Sequence, residues 1–201
     1  ATSYAVSPLD FEGVVPKLLV KAGEQVKAGD ALFFSKNDSR VLFTSPVSGT
    51  VTAVNRGEKR KVLNVTVQPD ATQSYKECDV PAIEKASKED ATKLLLEAGL
   101  WPLIIQRPYG IIANPDDQPK AIFVSGFDSA PLAADYDVVL ANDKANLQKG
   151  FDVLARLTSG KVHLSLNAKA ENKVFEGLKG VEIHEVAGPH PAGNVGKKKN
   201  N

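Results

Sequence analysis

The chain of 201 residues has little of several residue types, and each scarcity excludes a class of protein. Its single cysteine, Cys78, excludes an intrachain disulfide framework, a cysteine-based zinc site and a cysteine-ligated iron–sulfur cluster. Such low cysteine usage is typical of a reducing compartment. Lys and Arg total 25 against 24 for Asp and Glu, so the net charge of +1 gives no electrostatic reason to expect a nucleic-acid partner.

Methionine, long apolar runs and a signal peptide are also absent. The longest apolar run, residues 100–105, is interrupted by Pro102 and is far shorter than the about 18 residues of a membrane-spanning helix. No signal peptide is visible at Ala1. The lack of methionine and a start within an apparent strand indicate a fragment of a longer protein. A chain of this length holds one or two domains with a sizeable core.

Residues 20–67 contain closely spaced turn signals. In V-K-A-G-E-Q-V-K-A-G-D-A-L, Gly23 and Gly29 each precede an acidic residue, and glycine tolerates the positive φ of tight turns. The motif S-P-V-S-G predicts another turn, which includes Gly49, before an alternating strand. Short strands joined by such turns are typical of the flattened β-sandwich, or barrel-sandwich hybrid, of biotinyl and lipoyl carrier domains. We predict this fold for residues 1–69.

Carrier domains of this type present a biotinylated or lipoylated lysine at a hairpin tip, usually within D-K-A or M-K-M. The only lysine near the corresponding position is Lys36, which lies in S-K-N-D. That context favours a solvated turn residue, and hence a module with a structural or docking role. A carrier module of a multienzyme complex, modified at Lys36, is the alternative.

Residues 81–196 show another pattern, in which strand-like apolar runs alternate with helical segments. A polar linker over 70–80 precedes them. A capping box at Ser87 predicts a helix that ends at Gly99, and a long proline-containing loop follows from Arg107. Strands are expected over 121–125, 137–141, 161–166 and 181–186, and further helices over 143–158 and 169–176.

This alternation predicts a small Rossmann-like α/β domain with a mostly parallel sheet. The expected fold is therefore mixed β and α/β, with the β-sandwich first. Residues 197–201 break the preceding pattern and are interpreted as a tail or an artificial junction.

Four motifs resemble one family in their order and spacing: V-K-A-G-D through N-R-G-E-K-R, S-G-F-D-S-A-P-L-A-A-D, L-T-S-G-K-V and A-G-P-H-P-A-G-N-V-G. The family is the A subunit of the bacterial sodium-translocating NADH:quinone oxidoreductases (Na⁺-NQR), and the resemblance extends to Gly196. The family's short N-terminal stretch and everything after the last motif are missing. The chain thus resembles the barrel and α/β parts of a longer protein.

The resemblance implies a peripheral subunit at the cytoplasmic face of the bacterial inner membrane. It implies a role in quinone (ubiquinone or menaquinone) interaction and complex assembly, during quinone reduction coupled to Na⁺ export. Its partners would be quinone and the other subunits, especially the membrane subunits. The whole complex uses NAD, FAD, FMN, riboflavin, an iron–sulfur centre and quinone, with the flavins and the iron–sulfur centre in other subunits.

The residues favour a non-catalytic role for this part of the complex. No G-x-G-x-x-G motif opens a helix after a strand, and no glycine-rich flavin loop is present. We therefore expect the chain to bind no cofactor and no metal by itself. A flavin-binding electron-transport protein is a second alternative.

Three residues on two loops are candidate quinone contacts. Arg107 and Tyr109 in R-P-Y-G offer a cation and an aromatic face. His190 lies between two prolines in a loop flanked by glycines, which allow close approach of a ligand or another chain. Both loops flank predicted strands of the α/β domain, so we expect them to line one cleft. The plainer interpretations are a surface charge with a partly buried aromatic ring, and a structural turn.

Other polar residues have mainly structural interpretations. His163 and His184 lie at alternating strand positions, where we expect histidines to be packed or hydrogen-bonded. Three histidines without clustered carboxylates do not form a metal-ligand set. Asp128 and Asp135 follow a strand end, where α/β sheets bind ligands, and their charge argues against a phosphate. A basic cluster at a hairpin turn is either solvated or a docking surface for another protein of the complex: Arg56, Lys59, Arg60 and Lys61.

Overall fold

The computed structural model describes residues 1–80 and 82–193. Among these, residues 1–80 and 92–115 form one compact unit, and residues 82–91 and 116–193 form a second. The sequence assigns residues 92–115 to the α/β domain, whereas the structure places them in the first unit. The predicted tail at 197–201 lies outside the described residues. Within the described part of the chain, no helix is long and apolar enough to span a membrane.

The first unit begins with β1 (Tyr4–Val6), β2 (Pro16–Leu18), β3 (Gln25–Val26), β4 (Ala31–Ser35), β5 (Asp38–Thr44), β6 (Gly49–Arg56) and β7 (Val62–Pro69). These strands form two antiparallel sheets, one in the order β1-β7-β6-β3 and the other in the order β2-β4-β5. The predicted β-sandwich is therefore confirmed.

Apolar side chains from both sheets form the core of this unit. Phe33 of β4 stacks on Phe43 of β5, with ring centroids 4.7 Å apart. Val51 of β6 and Val65 of β7 are fully buried. Burial of such apolar area is the main favourable contribution to folding.

The two glycine turns form as predicted. Gly23 and Gly29 have φ values of +92° and +94°. At the first turn, the Glu24 carboxylate accepts a hydrogen bond of 3.0 Å from the amide of Lys21. At the second turn, the Asp30 carboxylate accepts the equivalent bond at 2.7 Å. Each acidic side chain thus closes its own turn.

Gly49 is required for a different reason from the one the sequence predicts. It is the first residue of β6, so the prediction that it lies in a turn is wrong. A Cβ atom at this position would lie 1.9 Å from the carbonyl oxygen of Gln68 on β7. Close packing of two strand backbones, and not a positive φ, therefore accounts for this glycine.

Residues 70–80, the predicted linker, belong to the first unit and are hydrogen-bonded to its β-sandwich. The amide of Ala28 donates to the carbonyl oxygen of Ser74 at 3.0 Å. The side-chain oxygen of Gln73 accepts a bond of 2.8 Å from the amide of Ser48. These bonds attach the segment to the β-sandwich.

Helix α1 (Lys88–Glu97) starts with the predicted capping box. The Ser87 hydroxyl accepts a hydrogen bond of 3.1 Å from the amide of Asp90, and the Asp90 carboxylate accepts one of 3.0 Å from the amide of Ser87. These reciprocal bonds satisfy two of the amides that a helix start leaves without partners.

A short antiparallel hairpin follows α1 in the first unit. Its strands are β8 (Ile105–Gln106) and β9 (Ile111–Ile112). The buried Trp101 precedes it, and the Trp101 indole nitrogen donates a bond of 2.7 Å to the carbonyl oxygen of Ala113. The predicted long loop from Arg107 therefore begins as the turn of this hairpin.

The second unit contains three parallel strands and two helices. The strands are β10 (Ile122–Ser125), β11 (Val162–Asn167) and β12 (Val181–Val186), in the order β10-β11-β12. The helices are α2 (Tyr136–Val139) and α3 (Lys144–Arg156). The predicted α/β architecture with a parallel sheet is confirmed. Its core is formed by buried side chains of α3, of β11 and of the turn at residues 173–175: Phe151, Val162, Leu164, Leu166, Val174 and Phe175.

Two predicted elements of the second unit are wrong. The apolar run at 137–141, expected as a strand, begins within α2. The Asp135 carboxylate accepts a bond from the amide of Asp137 and caps this helix, while Val138 and Val139 are exposed. The run therefore does not join the sheet, and its Leu140 packs against the core as a partly buried side chain.

The second wrong element is the helix predicted over residues 169–176. Only a 3-10 turn, Lys173–Phe175, forms there. The residue before it, Asn172, has a φ of +55°, and this left-handed conformation is incompatible with a continuous α-helix.

Candidate functional site

The carboxyl ends of the parallel strands β10 and β11 border a cleft of about 350 Å³ in the second unit. Parallel α/β sheets bind ligands at this edge because the loops that leave successive strands meet there. The cleft is lined by residues that follow β10 and β11, by the start of α2 and by the turn before β12: Gly126, Phe127, Asp128, Ala134, Asp135, Tyr136, Asp137, Asn167, Ala170, Glu171, Asn172 and Phe175.

The cleft is acidic, and its aspartates also hold the local backbone. Asp128 accepts a hydrogen bond of 2.9 Å from the amide of Ala130. Asp137 accepts bonds of 3.1 and 2.7 Å from the amides of Lys173 and Val174. Asp128 and Asp135 thus lie beyond β10 at the ligand-binding edge, as the sequence predicts. The carboxylates repel anions, which argues against a phosphate or nucleotide ligand.

His190 lies close to this edge of the sheet. Its Nδ1 atom is 3.1 Å from the hydroxyl oxygen of Ser129, the residue after Asp128. The same hydroxyl accepts a bond of 2.9 Å from the amide of Gly193. The loop that carries His190 is therefore fastened to the loop that follows β10, and the imidazole remains exposed.

Arg107 and Tyr109 lie in the turn between β8 and β9, and both side chains are exposed. Apolar side chains exposed nearby are Leu103, Ile105 and Ile111. This hairpin belongs to the first unit, whereas His190 belongs to the second. The structure therefore divides the three candidate quinone contacts between two units, whereas the sequence places them all in the α/β domain.

The other singled-out lysines and arginines are exposed at turns. Lys36 lies at the tip of the hairpin between β4 and β5 and is exposed. Arg56 at the end of β6 and the three basic residues between β6 and β7 are all exposed, and the guanidinium of Arg56 donates a bond of 3.1 Å to the carbonyl oxygen of Arg60. The predicted exposure of both turns is confirmed.

A second polar cluster combines β11 and β12. His163 Nδ1 lies 2.9 Å from His184 Nε2, and Glu182 Oε1 lies 3.7 Å from the same His184 atom. The sequence predicts no clustered carboxylate near these histidines, and Glu182 shows that this premise is wrong. The overlooked signal is the spacing of Glu182 and His184, which puts them on one face of a strand next to His163.

An ion pair holds Glu182 in this cluster. Lys161 Nζ donates a hydrogen bond of 2.6 Å to Glu182 Oε2. This hydrogen bond and the ammonium charge lower the pKa of Glu182, and the carboxylate raises the pKa of Lys161 in return. Glu182 is therefore ionised at neutral pH, with its second oxygen directed toward His184.

Two family models match consecutive parts of the chain. The model of the NqrA N-terminal barrel-sandwich hybrid domain matches residues 1–70, and the model of the NqrA second alpha/beta domain matches residues 86–200. Their order agrees with the two kinds of sheet that the structure shows.

Three curated relatives are each named as the A subunit of the Na(+)-translocating NADH-quinone reductase. The relative from Photorhabdus laumondii is 38% identical over 189 residues, which are 93% of this chain and 42% of the relative. That from Serratia proteamaculans is 40% identical over 191 residues, with the same coverage. That from Neisseria gonorrhoeae is 38% identical over 197 residues, which are 97% of this chain and 44% of the relative.

The chain spans less than half the length of these relatives, so it corresponds to a part of each of them. Since the two domain models match in the order of the observed folds, the chain belongs to the NqrA family.

Proposed function

We propose that the chain acts as part of the A subunit of a Na⁺-translocating NADH:quinone reductase, at the cytoplasmic face of a bacterial inner membrane. Its role there is quinone interaction and complex assembly, during quinone reduction coupled to Na⁺ export. It performs no redox step by itself, and the NAD, flavin and iron–sulfur chemistry belongs to other subunits. Membership of the NqrA family supports the assignment to this complex.

The exposed hairpin between β8 and β9 carries the quinone part of the proposal. A quinone headgroup needs an apolar or aromatic face for its ring and a hydrogen-bond donor for its carbonyl oxygens. Tyr109 is 72% exposed and provides the face, and Arg107 provides the donor. The exposed side chains of Leu103, Ile105 and Ile111 offer apolar area for the isoprenoid chain.

His190 is the proposed contact in the second unit. Its Nδ1 faces the Ser129 hydroxyl, so Nε2 is the ring atom available for a quinone carbonyl. Because His190 and Tyr109 belong to different units, we treat their contributions as separate and test each by its own substitution.

Assembly of the complex requires surfaces that contact the other subunits, especially the membrane subunits. The exposed basic turn between β6 and β7 is suited to an acidic partner surface, through Arg56, Lys59, Arg60 and Lys61. Charged patches of this kind mainly steer and orient the encounter of two proteins.

The first prediction concerns quinone binding by the purified chain. A water-soluble short-tail quinone should show weak, saturable binding, because a short tail buries little apolar area. Tyr109→Ala should raise the dissociation constant by roughly fivefold or more, since loss of an aromatic contact costs about 1 kcal/mol. Arg107→Gln and His190→Ala should each weaken binding as well. Fluorescence titration or calorimetry measures these constants.

Tyr75→Ala is the matched control for Tyr109→Ala. Tyr75 belongs to the same unit and is 69% exposed, but it is remote in sequence from the hairpin. Its substitution should leave the dissociation constant unchanged. Saturable binding that none of the three loop substitutions weakens would show that these loops are structural and that the quinone site lies elsewhere.

The second prediction separates the proposal from the two alternatives. The purified chain should be colourless, and its intact mass should equal that of the unmodified sequence. A flavin-binding protein would instead retain stoichiometric visible absorbance after gel filtration. A carrier module would show the added mass of a biotinyl or lipoyl group, and peptide mapping would locate it at Lys36, the exposed residue at the hairpin tip.

A further inference from the structure

Three potential metal ligands meet on one face of the parallel sheet. The register of β11 and β12 pairs His163 with Glu182 and Ser165 with His184. Side chains two residues apart point to the same face of a strand, so Glu182 and His184 both project beside His163. The three candidate donor atoms lie within 4.8 Å of one another.

The donor atoms are spaced closely enough to share one ion. Zn²⁺ binds imidazole nitrogen at about 2.0–2.1 Å in tetrahedral sites, which separates two ligand nitrogens by about 3.3 Å. His163 Nδ1 and His184 Nε2 are 2.9 Å apart, and Glu182 Oε1 is 3.7 Å from His184 Nε2. Small side-chain rotations bring these distances to the tetrahedral values, and the partial exposure of all three residues permits such rotations.

Neighbouring groups hold two of the ligands in place. Phe123 of β10 stacks on the His163 ring, with centroids 4.8 Å apart and an angle of 14° between the planes. Lys161 binds Glu182 Oε2 at 2.6 Å, which leaves Oε1 on the side of His184. Groups that fix the orientation of metal ligands in this way are a regular part of protein metal sites.

We propose that His163 Nδ1, His184 Nε2 and Glu182 Oε1 form a binding site for a divalent transition-metal ion of the Zn²⁺ type. Two imidazoles and one carboxylate are a known zinc donor set, and three protein ligands leave a fourth position for water or another ligand. The site goes beyond the proposed function, because none of its residues belongs to either quinone-contact loop.

A hydrogen bond between the two imidazoles accounts for the short distance between the two histidines. One ring nitrogen carries a hydrogen and donates it to the lone pair of the other ring nitrogen. Which of the two rings is the donor depends on their tautomers. Binding of an ion requires the donor ring to shift to its other tautomer, with the hydrogen on its second nitrogen, so that both rings direct a lone pair at the metal. The Lys161 ammonium opposes this binding by charge repulsion, so we expect an affinity below that of fully enclosed zinc sites.

The third prediction tests the site on the 201-residue chain, prepared without a histidine tag and titrated with Zn²⁺ in competition with a chromophoric chelator. One equivalent should bind. His163→Gln, His184→Gln and Glu182→Gln should each raise the dissociation constant by about tenfold or more, because each removes a ligand. Zn²⁺ should also raise the melting temperature of the natural chain and leave that of the double histidine variant unchanged.

Two control variants replace the histidine and the cysteine that lie outside the proposed site, because imidazole nitrogen and thiolate sulfur are common zinc ligands. His190→Gln replaces the third histidine, and Cys78→Ser replaces the only cysteine. Neither substitution should change the dissociation constant. Circular dichroism verifies that all variants are folded. The proposal is overturned if the natural chain binds no Zn²⁺ at millimolar concentration, or if the variant His163→Gln/His184→Gln binds it as tightly as the natural chain.

Discussion

Phe33→Ala should lower the free energy of unfolding of the first unit by about 3–5 kcal/mol. Phe33 is fully buried between the two sheets and stacks on Phe43, so its removal leaves a cavity and loses an aromatic contact. Denaturant unfolding measures the loss, and faster hydrogen exchange of the amides in β4 and β5 should locate it in this unit.

Phe34→Ala is the control within the same strand. Phe34 is only partly buried, and Lys17 Nζ lies 5.5 Å from the centre of its ring. Its truncation should therefore cost clearly less than that of Phe33. Equal losses for the two variants would contradict the assignment of Phe33 to the core of the β-sandwich.

Leu164→Ala should lower the stability of the second unit by about 2–5 kcal/mol. Leu164 lies in β11, the middle strand of the parallel sheet, with 0% of its surface exposed. It belongs to the cluster that includes Phe151 of α3 and Phe175. Unfolding followed by hydrogen exchange of the β11 and α3 amides reports this loss.

Leu132→Ala makes the same chemical change in the same unit at a side chain that is 99% exposed. It should alter the unfolding free energy by no more than about 0.5 kcal/mol, the usual range for surface substitutions. If the two leucine variants lose similar amounts, Leu164 is not a core residue and the described packing of this sheet is wrong.

Elements governed by neighbouring residues were predictable from the sequence. At Gly23 and Gly29, the glycine with the positive φ, the acidic side chain that closes the turn and the amide that it binds are within a few residues of one another. The capping box of Ser87 and Asp90 is likewise local. The apolar runs of β10, β11 and β12 are bounded by turns and were correctly predicted as strands.

Elements that depend on distant partners were predicted less well. The run at 137–141 has strand-like composition, but the Asp137 carboxylate accepts hydrogen bonds from the distant amides of Lys173 and Val174. Gly49 has the composition of a turn residue, but the backbone of β7 is what excludes a side chain from it. Composition does not reveal these contacts, because their partners lie far apart in the sequence.

The candidate sites also differ in whether the sequence pattern or the tertiary packing determines their position. The position of Asp128 and Asp135 at the ligand-binding edge follows from topology, because any parallel α/β sheet brings its strand ends together there. The assignment of Tyr109 to the first unit and of His190 to the second depends on the packing of residues 92–115, and no local pattern marks it.

Local sequence determined the turns, the helix cap, the two kinds of sheet and the family motifs, because short-range hydrogen bonds and the period of apolar residues act within a few positions. Tertiary structure alone decided which strands are neighbours and in which register. That register brings His163 next to Glu182, across 18 intervening residues, and next to His184. A shift of one residue would move Glu182 and His184 to the opposite face, so the metal-ligand geometry exists only in the folded sheet.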